Sequence, residues 1–162
     1  MMTLQDSVAF ALERSRNILQ LFIADLTPAE FVHRSASKAN CAAWIVGHLI
    51  LSDRRVIQLL GKTDLPPLPD GFEKRFSRDP GSPEAQEFGD AMILPALFDQ
   101  HRTMLIEAMR KSDVAEWSKP LEKPSPRFAT LGEMLTFFSL HTAMHAGQIS
   151  TIRRSLGKPA LF

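Results

Sequence analysis

The chain has 162 residues, enough for one domain with a substantial core, and its 44% hydrophobic and 23% charged content is that of a globular protein in water. With 19 basic against 18 acidic residues there is no electrostatic attraction to nucleic acid, and no apolar run reaches the roughly 18–20 residues of a membrane span. The start, Met1 to Asp6, has no basic or apolar region of a signal peptide, and a single cysteine, Cys41, excludes an internal disulfide; both lead to the expectation of a cytoplasmic protein.

The first predicted helix runs from about Leu4 to Leu26. Leu4, Val8, Ala11, Leu12, Ser15, Ile18, Leu19, Phe22 and Leu26 recur with a helical period, and Glu13, Arg14 and Arg16 lie off that stripe. Thr27-Pro28-Ala29-Glu30 reads as a capping box that starts a short helical turn. The second helix spans about Asn40 to Leu60, with Asn40 as its N-cap and Gly61 as its stop. Its stripe is Cys41, Trp44, Ile45, His48, Leu49, Ser52, Val56 and Leu59.

From Gly61 to about Leu94 the pattern breaks into prolines and glycines, with Ser82-Pro83-Glu84 as a possible start of a short helix through Phe88. A connection this long is either a strap between parallel helices or a lid. The third helix, from about Pro95 to Ser112, carries Leu97, Phe98, His101, Met104, Leu105 and Ala108 on its stripe. The fourth runs from about Leu131 to Leu156. Thr130 and Glu133 offer a second capping box, and Gly157 and Pro159 offer a stop. No segment shows strand alternation. The expectation is an all-α fold over residues 1–162: a single-domain four-helix bundle with a long crossover between helices 2 and 3.

The chemistry lies in the histidines. His141 and His145 are one turn apart and project from one helix face, and His48 occupies the centre of another apolar stripe. Imidazole is costly to bury unless its nitrogens are satisfied. Three converging in a core point to a metal ion, with open positions of the kind found in catalytic sites. The alternative is a set of core histidines bonded to carbonyls or to each other. Thr142 stands where a zincin has its glutamate, so that mechanism is excluded. His101 could be a fourth ligand, an acid/base beside the site, or a histidine at the bundle's edge. Gln148 could bond a ligand or a neighbouring helix, and Trp44 could wall the pocket. Asp53 reads as a surface salt-bridge partner or an acceptor behind a ligand, Cys41 as a core residue, and His33 as solvated.

The segments Trp44-Ile45-Val46-Gly47-His48-Leu49 and His141-Thr142-Ala143-Met144-His145-Ala146-Gly147-Gln148-Ile149 resemble the DinB/YfiT-like family of four-helix-bundle metalloproteins. So does the ending Arg153-Arg154-Ser155-Leu156-Gly157-Lys158-Pro159. The resemblance implies an up-up-down-down bundle, often dimeric, with His48, His141 and His145 as ligands to one divalent ion, zinc or nickel. It also implies a thiol-dependent transferase type of chemistry on a small-molecule substrate, with a low-molecular-weight thiol such as bacillithiol or mycothiol as co-reactant. No catalytic side chain is assigned. Competing expectations are a metal-dependent hydrolase, a non-enzymatic metal-binding or stress-response protein, and a purely structural bundle. A homodimer is expected through apolar residues such as Ile23, Ile57 and Phe137.

Overall fold

The computed structural model describes residues 1–77 and 85–161. The expected helix start at Ser82–Glu84 lies outside the described residues; the stretch after it, Ala85–Phe88, is a 3-10 turn. Four long helices dominate: α1 (Leu4–Ile23), α3 (Ala42–Leu59), α5 (Leu94–Lys111) and α7 (Leu131–Ser155). Short helices α2 (Pro28–Phe31), α4 (Phe72–Phe76) and α6 (Val114–Trp117) punctuate the connections.

Local chemistry explains the helix ends. Thr3 and Asp6 form a reciprocal capping box on α1, and Thr27 and Glu30 form the expected one on α2. At α7 the Thr130 hydroxyl accepts from the Glu133 amide, but the Glu133 carboxylate reaches one residue further back, to the Ala129 amide. The N-cap of α3 is Cys41 rather than Asn40. Gly61 and Gly157 adopt the positive φ that lets the chain turn out of α3 and α7.

One class of element was not anticipated. Pro120–Ser125 and Phe128–Thr130 form an antiparallel two-stranded hairpin, β1 and β2, ahead of α7. Its strands are short, β1 carries two prolines, and they are held by packing rather than by alternation: the Phe128 ring packs on Phe137 of α7.

Side-chain contacts set the helix directions. Arg153, near the end of α7, donates to the Phe22 carbonyl and pairs with Asp25, just past the end of α1. Gln5, at the start of α1, donates to the Ser112 carbonyl at the end of α5 (3.0 Å). Leu19, Ile45, Phe98 and Ile149 share one apolar cluster, and Leu12, Val56, Leu105 and Leu135 share another. Helices α1 and α7 therefore run one way and α3 and α5 the other. The expected up-up-down-down order is corrected to up-down-down-up. The reason is in the connections: 24–41 and 112–130 leave and re-enter at one end, and only 60–93 carries the chain back along the fold's length.

That return segment packs tightly. A Cβ on Gly47 would lie 2.2 Å from the Phe76 ring, so glycine is what lets α4 rest directly on α3. Phe76 in turn packs on Phe72 and Phe88.

A polar layer crosses the middle of the core. Arg102 and Asp53 are both fully buried and joined by two hydrogen bonds, 2.8 and 2.9 Å. Arg102 also donates to Thr142 Oγ1 (2.8 Å) and to Ser15 Oγ (3.4 Å). One guanidinium thus touches all four long helices, and its fork matches the carboxylate bidentately. Asp53, read as a surface salt-bridge partner or an acceptor behind a ligand, is instead the buried counter-charge that makes Arg102 tolerable in the core.

Candidate metal centre

His48 projects from α3, and His141 and His145 from consecutive turns of α7. All three are nearly buried, at 8%, 4% and 7% exposure. One ring nitrogen from each lies within 4.8 Å of the others, so the three together could hold a metal ion. The rings stand edge to face, with centroids 5.3 Å apart for His48 and His141, 5.4 Å for His48 and His145, and 4.6 Å for His141 and His145. Nε2 of His145 and Nε2 of His141 face each other at 3.0 Å.

The proton positions follow from the partners. His145 Nδ1 lies 2.9 Å from Gln148 Oε1, and an amide oxygen only accepts, so Nδ1 carries the hydrogen. In the neutral ring this leaves the His145 Nε2 lone pair directed at His141. Gln148 thus orients the His145 ring from behind, the role that partners of metal-binding histidines usually have. Trp44 lies one turn before His48 and stacks on it, with centroids 4.9 Å apart and planes 4° apart. Phe137 stacks on His141 and Phe138 meets its edge, at 5.5 and 5.6 Å. The rings are therefore braced on the apolar side and convergent on the other.

This donor set fits a divalent ion. Three neutral nitrogens suit zinc, nickel, cobalt or iron rather than magnesium or calcium, which demand oxygen ligands. The orienting amide and the fixed tautomer are what a nitrogen site requires.

The other predicted residues are placed as follows. His101 is not brought to the triad. It is fully buried; its Nδ1 donates to the Leu97 carbonyl (2.7 Å), and Nε2 accepts from Arg54 Nη1 (3.0 Å). Because a guanidinium only donates, this ring is neutral, and burial pushes its pKa down. Arg54 also donates to the Pro66 carbonyl (2.7 Å), so His101 helps tie the long connection to α3. Cys41 is buried and its thiol pKa is pushed up by burial, against a nucleophilic role. His33 bonds Ser155 Oγ (3.1 Å). Ile23 and Ile57 are buried within the chain and so do not form an outer face; Phe137 is engaged with Phe128 and His141.

Sequence reasoning missed Arg102. The signal was present: it sits four residues after Phe98 and three before Leu105, inside an apolar stripe, where a cation demands a buried partner.

Known proteins place this geometry. The fold is similar to that of a crystal structure described as a conserved protein from Enterococcus faecalis, with a TM-score of 0.75 and 18% identity over 98% of this chain and 100% of that one. Among curated proteins none matches the sequence. The family description "DinB superfamily" matches residues 11–149, most of the chain and all three histidines of the cluster. The chain belongs to the DinB superfamily.

Proposed function

We propose that His48, His141 and His145 hold one divalent ion, zinc or nickel, and that the protein is a metal-dependent transferase joining a low-molecular-weight thiol to a small electrophile. The observation that carries this reading is the convergence of three ring nitrogens within 4.8 Å, with one ring locked from behind by Gln148. When bound, such an ion supplies Lewis acidity and lowers the pKa of a thiol or water. The chain's own residues bind and orient. Trp44, Phe137 and Phe138 exclude water from the ring faces, and Gln148 keeps the proton of His145 on Nδ1.

The same reading takes residues 1–162 as one domain, a closed four-helix bundle, in the cytoplasm. Its partner is a second copy of the chain. The pairing face is rebuilt from the residues that stay exposed: Phe10 and Leu21 on α1, and Leu140 and Met144 on α7. Light scattering on the eluted protein would give twice the chain mass; a monomer at high concentration removes the dimer.

The test is elemental analysis of untagged protein beside a His48→Ala/His141→Ala/His145→Ala variant. About one zinc or nickel per chain in the wild type alone is expected. Loss of a small electrophile should then require both thiol and metal. Turnover without thiol would assign hydrolysis instead. No metal in either protein, even after reloading, would leave a structural histidine cluster.

A further inference from the structure

Helices α3 and α7 each carry a residue two turns beyond a histidine of the cluster, on the same helix face. Arg55 follows His48 by seven residues and Met134 precedes His141 by seven. Seven residues are two turns, so each lies on its histidine's helix face, about 10 Å along the axis. Because α3 and α7 are antiparallel, both displacements point toward the same end of the fold. There the structure opens a cleft of ≈ 730 Å³ lined by Arg55, Leu59, Leu121, Lys123, Leu131 and Met134 among others. That volume is the size of a small-molecule site, and its lining mixes apolar side chains with charged ones.

The charges in the cleft sort cleanly. Lys119 is paired with Glu116 (2.6 Å), and Asp113 is occupied as the cap of α6. The side chains of Arg55, Lys123 and Glu122 carry no hydrogen bond or ion pair among the described residues. The lining carries three cations, Arg55, Lys119 and Lys123, against three carboxylates, Asp113, Glu116 and Glu122, and Arg55 is the guanidinium among the described residues there. The hairpin β1–β2 forms one wall through Leu121 and Lys123, and through Phe128 and Phe137 it also buttresses His141. The hairpin thus lines the cleft and backs His141 through an intervening ring of α7, Phe137.

We propose that this cleft is the distal half of the ligand site: it takes the carboxylate-bearing tail of an elongated small molecule whose reacting end lies at the histidines. Arg55 is the carboxylate partner, with the planar fork that favours bidentate pairing. Leu59, Leu131 and Met134 hold the apolar stem. The inference rests on the metal-centre reading for the position of the reacting end, and it names the substrate class of that site.

The test titrates zinc-loaded protein calorimetrically with mercaptopropionate, mercaptooctanoate and octanethiol. Mercaptooctanoate spans about the two-turn separation, and it should bind at least about tenfold tighter than mercaptopropionate, the scale of one charge-assisted contact. Arg55→Met should remove that advantage while octanethiol binds both proteins alike. Arg55 is exposed, so the variant is expected to fold. Equal binding of mercaptooctanoate to wild type and Arg55→Met overturns the proposal. If no thiol binds the zinc-loaded protein, the metal-centre reading fails and the cleft is judged separately, by octanoate titrated into metal-free protein with the Met134 methyl resonance as readout. A shift that disappears in Arg55→Met supports the cleft; no shift overturns it.

Discussion

Two polar clusters share the same core, and they are built on opposite principles. The Arg102 layer closes on itself: a cation, a carboxylate and two hydroxyls from four helices satisfy one another with every distance at 3.4 Å or less. The histidine cluster has no counter-charge among its members and directs its ring nitrogens inward to a common point. The first needs nothing from outside and serves the fold; the second could hold a metal ion. Thr142 joins them, because its hydroxyl meets Arg102 while its neighbours on the chain are His141 and the turn leading to His145.

This contrast can be broken at either side, and the largest effect belongs to the closed layer. Asp53→Ala strands a fully buried guanidinium and should cost about 3–5 kcal/mol in a denaturant titration. A loss under about 1 kcal/mol would mean that water reaches Arg102 and the layer is not sealed. On the open side, zinc at about a hundred times its Kd should stabilise the wild type by about 2.7 kcal/mol, raising Tm by about 5–10 °C. His145→Ala should abolish that rise, whereas zinc should leave the Asp53→Ala deficit in place. If zinc shifts both His145→Ala and wild type equally, the ion binds elsewhere.

Gln148→Ala sharpens the comparison further. It touches the cluster only from behind, so metal affinity should fall about 10–100-fold with little change in the stability of the metal-free protein. Competition with a chromogenic chelator reads this directly.

The smallest effect is pH-dependent and concerns His101. Its folded pKa is pushed below the ordinary histidine value by burial, so the neutral ring's stability is full above about pH 6.5 and is lost as pH falls toward the folded pKa. One such proton gives a slope of at most about 1.4 kcal/mol per pH unit. Urea melts at descending pH should show this part of the slope flattened in His101→Gln. An unchanged slope would assign the acid sensitivity to the triad instead.

Much of this was legible in the chain. Each long helix follows from a 3.6-residue apolar period; Thr130 starts α7, Gly61 and Gly157 end α3 and α7, and Thr27 caps the short α2, all acting within a few residues. The histidines were legible for the same reason: polar side chains centred on apolar stripes must meet something. The hairpin was not, because Pro120–Thr130 has no alternation of its own and is held by Phe128 against a helix that comes later.

What the amino-acid order determined by itself was local: where helices begin and end, which face each one buries, and that His48, His141 and His145 lie on buried faces. Only the tertiary structure decided how those faces meet. It set α1 and α7 parallel rather than opposed, paired Asp53 with Arg102, gave His101 to Arg54 instead of the triad, and placed Arg55 and Met134 in the lining of one cleft. Periodicity reports the angle at which a side chain leaves its helix. Helix direction, register and partner depend on how the connections close and which buried charges find each other, and these are long-range properties that no short stretch of residues encodes.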